Sequence, residues 1–426
     1  MEVTRRQFAI RCGQAATMAA LLGSAMVGHG AVAAPTETAP ALSTVPRVFL
    51  ADGKTLRRVR DRIRAGDKSF DAPLADLISE ADKAIGVAPH SVMEKAVLPP
   101  SGDKHDYLSQ SIYWWPDPSK PDGLPYINKD GQINPETKKI TDERYLYALT
   151  QAVRPLSLAY YFRGDVKYAA HIALLLRTWF LNPETRMNPH LQYAQFTPGR
   201  NKGRYFGIVD TQDLVQIPDA VGLIAGYKGW TASDQKGMET WMAAYCDWLT
   251  TSEFGKKEGA EKTNHGTVYD AQVVSLALFT GKMDLARAVL NGVKSKRIGD
   301  LIEPDGTQPS ELRRTKGWTY SKKNLMNLFW LASMGDFAGV DLWNFRTTDG
   351  RSLKGALDYL IPFAGVGAKS WPHKEINRKE GAPLLLPGSF LRRAAVRMHE
   401  PKYEEALGRL APQFDQGSDA LSWPRS

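Results

Sequence analysis

An asparagine, a histidine and a tyrosine stand close together in the stretch KTNHGTVYDAQ, residues 262–272. Thr263 or Asn264 can cap a helix that begins here, because an apolar helical run follows. His265 and Tyr269 are four residues apart and therefore share one face of that helix. The first turn of a helix disfavours the imidazolium form of His265, and a neutral histidine can hydrogen-bond a substrate or abstract a proton. The alternative is a histidine that only packs at the start of the helix.

A second group of reactive side chains follows in PSELRRTKGWTYSKKNLMNL. It holds Glu311, Arg313, Arg314, Trp318 and Tyr320 ahead of an apolar helix. Either arginine can lie beside the phenol of Tyr320 if the segment is partly helical. A guanidinium beside a phenol favours phenolate and lowers the phenol pKa, which would make Tyr320 a general base. The alternative is a basic surface turn beside a core aromatic side chain.

Helical spacing of apolar residues dominates the chain that must position these groups. Three helix–turn–helix pairs are predicted. The first comprises residues 144–162 and 168–180 with a turn at Gly164-Asp165, the second spans residues 269–293 with a turn at Gly281, and the third spans residues 324–345. A single later helix is predicted over residues 388–410. Strand-like alternation is scarce. Repeated antiparallel helix pairs of this length predict an all-α fold, an incomplete (α/α) toroid or barrel.

Two long stretches interrupt the helices, residues 109–137 and 186–214. Both are rich in proline, glycine, aromatic and polar residues. Long structured loops of this kind usually carry function, so we expect both to contribute to the site.

The N-terminus resembles a targeting segment. Arg5 and Arg6 precede a short apolar run, and small residues precede Pro35. This pattern is typical of a twin-arginine signal peptide over residues 1–34, and the apolar run is too short and too rich in glycine and alanine for a good membrane span. We therefore expect a periplasmic or secreted protein, with a linker over residues 35–46 and a single domain over residues 47–426.

Composition narrows the choice of partner. The formal net charge of the 426 residues is +9, and removal of the signal, with its three arginines and one glutamate, lowers it to about +7. A basic, exported chain with 11 tryptophans is suited to a polyanionic partner, and anionic glycan is one candidate. No basic run or motif of the nucleic-acid-binding kind is present in the sequence. Only Cys246 of the two cysteines would remain after signal removal, so no internal disulfide and no cysteine-based metal site is expected, and no cofactor is expected.

These motifs together resemble the alginate lyase superfamily, whose members are α/α-toroid polysaccharide lyases. The resemblance rests on NH at a helix start, on EL-x-R…YS, which follows NH by some 55 residues, and on the loop segments YWWPDP…DGLPY and YAQ…PGRNKGR. It runs from about residue 105 to 330. The best-known periplasmic members carry NNHSYW where this chain has TNHGTVY, which indicates a separate branch.

The resemblance implies roles in a β-elimination at a uronic acid. Asn264 and His265 would neutralise the substrate carboxylate, Tyr320 would take the C5 proton and protonate the leaving O4, and Arg314 or Arg313 would assist Tyr320 or bind a carboxylate. One residue can do both proton transfers only where H5 and O4 lie on the same ring face. The expected substrate is therefore mannuronate-rich alginate or glucuronan, with β-1,4 linkages, rather than polyguluronate.

The remaining candidates are expected to bind substrate. They comprise aromatic side chains for stacking and basic ones for carboxylates: Tyr113, Trp114, Trp115, His190, Arg200, Arg204, Tyr269, Arg313 and Trp318. For each, packing within a loop or the core is the alternative. Two other functions compete with the lyase, namely a glycoside hydrolase on the same scaffold, which needs two carboxylates across the cleft, and a non-catalytic periplasmic protein that binds an anionic glycan.

Overall fold

The protein is built almost entirely of α-helices in a computed structural model that describes residues 45–376, 378–379 and 381–425. The helices are α1 Gly53–Arg64, α2 Asp71–Ala84, α3 Asp142–Arg163, α4 Val166–Leu176, α5 Ile217–Leu223, α6 Ala232–Thr251, α7 Glu253–Gly259, α8 Asn264–Phe279, α9 Met283–Val293, α10 Pro309–Leu312, α11 Gly317–Ala338, α12 Leu353–Leu360, α13 Gly388–Met398, α14 Pro401–Leu410 and α15 Asp419–Ser422. They form an incomplete α/α toroid, as the sequence predicts.

The helix pairs form where the sequence supplies a turn and a cap. α3 ends at Gly164, whose φ of 77° lies in the left-handed region that glycine adopts without strain. Asp165 then caps α4 by accepting a hydrogen bond from the backbone N–H of Lys167. The turn between α8 and α9 likewise contains a left-handed glycine, Gly281, with a φ of 78°, but no side chain caps α9.

Two predicted helix boundaries are wrong. The stretch 324–345 contains only one helix, because α11 ends at Gly339 in the left-handed conformation and residues 340–345 form no second helix. The stretch 388–410 is divided into α13 and α14 rather than forming a single helix. His399 interrupts it with a φ of 55°, and Pro401, which lacks a backbone N–H, begins the next helix.

Helix α8 lies at the centre of the fold. Its side chains are buried on nearly every face, and it packs against α6, α7, α9 and α11. A helix enclosed in this way has little freedom to shift. Because α8 and α11 are neighbours, the first turn of α8 and the first turns of α11 can contribute to one site.

The two long loops contain the short strands, and one strand pair joins them. β1 (Leu108–Gln110) pairs in parallel with β4 (Tyr193–Phe196), with Leu108 opposite Tyr193. β2 (Trp114–Trp115) pairs antiparallel with β3 (Ile127–Asn128) inside the first loop. The second loop continues into a long 3₁₀ helix, Tyr205–Gln216, that packs against α3 and α8.

The predicted signal peptide over residues 1–34 and most of the predicted linker over residues 35–46 lie outside the described residues. Within the part of the chain that the structure describes, every helix is too short or too polar to cross a membrane.

Candidate active site

A cleft of about 400 Å³ opens where the first turns of α8 and α11 meet the two long loops. Its walls bring together side chains far apart in sequence: Ser111, Ile112, Tyr113, Trp114, Asn128, Asp130, Gln195, Arg204, Phe206, Val209, Glu261, Thr263, Asn264, His265, Arg314, Tyr320 and Lys323. The four residues predicted to be catalytic, Asn264, His265, Arg314 and Tyr320, are all among them.

Asn264 is fixed by a buried carboxyl group. Its backbone N–H and its side-chain Nδ2 each donate to Glu311, to Oε1 and Oε2, at 2.6 Å. Thr263 caps α8 by accepting a hydrogen bond from the backbone N–H of His265. Burial raises the pKa of Glu311, while the two bonds from Asn264 act in the opposite direction. The contact orients the Asn264 amide and leaves one Nδ2 hydrogen for a further acceptor.

His265 is held from behind by a second buried carboxyl group. Its Nδ1 lies 2.7 Å from Oε1 of Glu258, a residue of α7 with no solvent exposure. The ring of Phe206 contacts the imidazole edge to face, with the centroids 4.8 Å apart. Since Nδ1 is engaged by Glu258, Nε2 is the nitrogen left to act on a bound substrate.

Tyr320 lies between another phenol and a guanidinium. Its hydroxyl is 2.9 Å from the hydroxyl of Tyr113 and accepts a hydrogen bond of 3.2 Å from Nη2 of Arg314. Asp130 fixes Arg314 through a 2.7 Å ion pair, and Thr315 donates to the same carboxylate at 2.9 Å. The sequence leaves open whether Arg313 or Arg314 contacts the Tyr320 phenol, and in the structure Arg314 makes this contact.

The electrostatic balance at Tyr320 differs from the sequence expectation. Burial and the hydrogen bond with Tyr113 raise the pKa of Tyr320, and the guanidinium of Arg314 lowers it by a smaller amount. The net shift is upward, so the phenol of the free enzyme is neutral at neutral pH. Arg314 therefore limits the rise in pKa without reversing it.

Basic and aromatic side chains are stacked at one end of the cleft. The guanidinium of Arg204 lies over the rings of Trp114 and Phe206, at 5.8 Å and 4.7 Å from their centroids. The guanidinium of Arg200 also lies over the Trp114 ring, 4.8 Å from its centroid. The arrangement presents a flat apolar face beside positive charge, which suits a sugar ring that carries a carboxylate.

Below the cleft, Asp210 of the 3₁₀ helix joins the two loops. It accepts hydrogen bonds from Ser109 at 2.5 Å and from Gln195 at 2.7 Å. Ser109 belongs to β1 and Gln195 to β4, so one buried carboxyl group fixes both strands. Burial raises the pKa of Asp210, and its hydrogen bonds lower it.

Comparison with known proteins supplies the family. The alginate lyase family model matches residues 91–371. The chain belongs to the alginate lyase family. It is accordingly a polysaccharide lyase with a polysaccharide substrate, which decides against the glycoside hydrolase and the non-catalytic binding protein. No curated protein sequence matches the chain significantly.

Solved alginate lyases share the fold. An alginate lyase from Bacteroides ovatus is 38% identical over 90% of this chain and all of its own, with a TM-score of 0.83. Alginate lyase A1-III from Sphingomonas species A1 is 14% identical, covers 89% of this chain and 96% of its own, and has a TM-score of 0.55. A His-to-Ala variant of that enzyme, solved with a tetrasaccharide, gives 14% identity and a TM-score of 0.58 over 90% of this chain and 98% of its own.

Two predicted binding residues of this alginate lyase are packed elsewhere. Trp318 has no solvent exposure and packs edge to face on Trp371 in the core, so a substrate contact by Trp318 is a wrong prediction. Tyr269 lies outside the cleft, because its hydroxyl donates to the carbonyl of Leu249 and its ring covers Gly259. The shared helix face with His265 therefore does not bring Tyr269 into the site.

Four further predicted residues do not line the cleft. Trp115 follows Trp114 on β2 and so points to the opposite side, where Nε1 donates to the carbonyl of Gln132. Nε2 of His190 lies 3.0 Å from Oδ1 of Asp106, and the side chain of Arg313 is exposed to solvent. Arg200 donates a hydrogen bond to the carbonyl of Tyr126 and stacks on the Trp114 ring. Of the nine predicted binding residues, Tyr113, Trp114 and Arg204 line the cleft directly.

Several residues of the site have weak sequence signals. Glu258 precedes His265 by seven residues and lies on a different helix, and Asp130 is nearly 200 residues from its partner Arg314. The spacing of Lys323 does indicate a place in the site, because Lys323 follows Tyr320 by three residues and so shares its helix face.

Among the described residues, no group of three or more histidine, cysteine, aspartate or glutamate side chains could hold a metal ion.

Proposed function

We propose that this alginate lyase cleaves a β-1,4-linked polyuronate, either mannuronate-rich alginate or glucuronan, by syn β-elimination that leaves 4,5-unsaturated uronate ends. The observation that carries the proposal is the placement of the Tyr320 hydroxyl, within hydrogen-bond distance of Tyr113 and Arg314, in the same cleft as Asn264 and His265.

The proposed reaction begins with neutralisation of the substrate carboxylate. The C5 proton of a uronate is weakly acidic until the C6 carboxylate is neutralised. Asn264 would donate its remaining Nδ2 hydrogen, and His265 would donate from Nε2. Oε1 of Glu258, 2.7 Å from Nδ1, would hold the imidazole ring in place for this contact. Donors held in place in this way stabilise the charge that develops in the transition state.

Proton transfer is assigned to Tyr320. As phenolate it removes H5, and the electron pair of the C5–H bond forms the aci-carboxylate. This intermediate collapses to a C4=C5 double bond as the C4–O4 bond breaks, and Tyr320 returns its proton to O4.

The sugars next to the reacting uronate are assigned to the group of stacked side chains formed by Trp114, Arg200 and Arg204. Arg204 would bind a carboxylate, and Trp114 would contact a ring face; Arg200, which lies over the Trp114 ring, would help to hold that ring in place. Arg204 is well suited to this task because its nearest side-chain hydrogen bond is a long one, 3.4 Å to Ser111. We further propose export through the twin-arginine signal predicted over residues 1–34, which would bring the enzyme to extracellular or periplasmic polysaccharide.

The substrate is tested by a panel of polymannuronate, glucuronan, polyguluronate and hyaluronan, with absorbance near 235 nm as the readout. The expected result is turnover of polymannuronate or glucuronan. Mass spectrometry should show ends that lack one water relative to hydrolysis products. Turnover confined to polyguluronate, whose H5 and O4 lie on opposite ring faces, would contradict syn elimination by a single tyrosine.

A further inference from the structure

Lys323 is a cation in the cleft with no assigned role. It lies on α11 one turn after Tyr320, and the two side chains line the same cleft as Asn264 and His265. Within the described parts of the chain, its Nζ forms no hydrogen bond and no ion pair within 4 Å. A half-buried ammonium group without a direct partner is costly, and an anion that enters the cleft would supply one.

The other cation beside Tyr320 differs in this respect. Arg314 is engaged by Asp130 at 2.7 Å and by the hydroxyl of Tyr320 at 3.2 Å. Most of its charge is therefore already balanced in the free enzyme. Lys323 has its charge available for substrate.

The carboxyl groups that hold Asn264 and His265 also act on the charge of Lys323. Its charge interacts with Asp210 and Asp213 of the 3₁₀ helix and with Glu311 and Glu258. Glu311 is the group that holds Asn264, and Glu258 is the group that holds His265. Burial lowers the pKa of Lys323, and these four carboxyl groups oppose that shift.

We propose that Lys323 forms an ion pair with the C6 carboxylate of the reacting uronate and so acts with Asn264 and His265 to neutralise it. The assignment rests on the proposed function. The carboxylate gains a second negative charge as H5 is removed, so the ion pair is stronger in the transition state than in the ground state. Loss of such an interaction lowers kcat more than it raises KM.

The test compares Lys323→Met with Lys322→Met and Lys323→Arg on the preferred polyuronate. Lys322 is the preceding residue on the same helix, and its Nζ donates to the carbonyl of Leu385 away from the cleft. We expect Lys323→Met to lower kcat/KM by about 100-fold or more, chiefly through kcat, because one charge-stabilising donor is typically worth that much. Lys322→Met should stay within about threefold of the wild type, because the Lys322 side chain does not line the cleft.

Recovery of activity in Lys323→Arg distinguishes a substrate contact by Lys323 from a role in packing only. Lys323→Arg keeps the cation and should recover at least about tenfold of the loss, with thermal unfolding midpoints similar in all folded variants. The assignment is overturned if Lys323→Met stays within about threefold of the wild type, or if the Arg variant is no better than Met. Should Lys323→Met fail to fold, Lys323→Gln is judged by the same criteria. A wild-type enzyme without turnover on any polyuronate would overturn the proposed function itself.

Discussion

At the scale of single residues, Tyr320 receives two hydrogen-bond contacts with opposite effects on its charge. The bond with Tyr113 favours the neutral phenol, and the guanidinium of Arg314 favours phenolate. Burial adds to the first effect, so the pKa of Tyr320 rises. The proposed base is therefore a minor phenolate species in the free enzyme, which gives the reaction a definite pH dependence.

The rate should rise with pH if Tyr320 is the base, because the proposed reaction uses its deprotonated form. Its pKa is raised above the ordinary value of a phenol, so the phenolate fraction grows about tenfold per pH unit throughout the neutral range. We expect kcat/KM, measured at 235 nm, to increase from pH 6 to pH 9. Tyr113→Phe should move the rising limb to lower pH, and Arg314→Gln should move it to higher pH. A profile that is flat or falls across this range would contradict the role of Tyr320 as base.

The residues proposed to be catalytic are predictable from sequence to the extent that their partners are near in the chain. Asn264 and His265 are adjacent, and Tyr320 and Arg314 are six residues apart, so short-range spacing and the family resemblance identify them. The direction of the Tyr320 pKa shift is not predictable, because it depends on burial and on Tyr113, which lies 207 residues away. Trp318 fails for the same reason, since only the fold shows that its ring is enclosed by the core.

At the scale of the element, helix α8 explains the glycine that follows His265. A Cβ atom on Gly266 would lie 2.2 Å from the carbonyl oxygen of Glu261 and 2.3 Å from Nη1 of Arg297. Arg297 is buried and donates to the carbonyls of Glu261 and Gly259 and to Asp270. It binds the turn before α8 to the helix itself, and glycine provides the space for this contact.

Gly266→Ala should lower the free energy of unfolding, because the added methyl group overpacks the contact with Arg297 and Glu261. The expected loss is about 1–3 kcal/mol, measured by urea denaturation. Gly292→Ala on α9 is the matched control, since nothing lies within 4 Å of its added Cβ. That control should be stabilising by about 0.5–1 kcal/mol, the usual gain from glycine to alanine within a helix. Equal stability of the two variants would show that Gly266 is not required by packing.

Helices are more predictable from this sequence than their ends. Apolar spacing identifies α3, α4, α8 and α9, and turn glycines mark the breaks at Gly164 and Gly281. The break at His399 is missed because a non-glycine residue there adopts a left-handed conformation, which the pattern of apolar residues does not reveal. The short strands are missed as well, because each is at most four residues long and is formed by loop contacts.

At the scale of the whole molecule, a buried ion pair fastens the first long loop to the toroid. Nζ of Lys95 lies 3.0 Å from Oδ2 of Asp142, and both side chains are fully buried. Lys95 also donates to the carbonyl of Asp106, and Asp142 accepts from the backbone N–H of Leu108, the first residue of β1. Burial raises the pKa of Asp142 to about 6 even with Lys95 beside it.

Lys95→Met should be strongly destabilising, because it leaves the Asp142 carboxyl group buried without its cation. Breaking one side of a buried pair typically costs about 3–5 kcal/mol, measured as the free energy of unfolding in urea. Lys167→Met is the control, since its 3.1 Å pair with Asp82 is about half exposed and exposed pairs contribute little to stability. Similar losses for the two variants would contradict the view that the Lys95 contact fastens the loop.

The central claim is that Tyr320 carries out both proton transfers, and the turnover of Tyr320→Phe on the preferred polyuronate tests it most directly. The matched control is Tyr113→Phe, which removes the other phenol of the cleft, hydrogen-bonded to Tyr320 and assigned no proton transfer. We predict that Tyr320→Phe lowers kcat by at least about 10³-fold, the upper range for loss of a general acid and base, while Tyr113→Phe stays within about tenfold. Near-normal formation of product at 235 nm by Tyr320→Phe would contradict the claim.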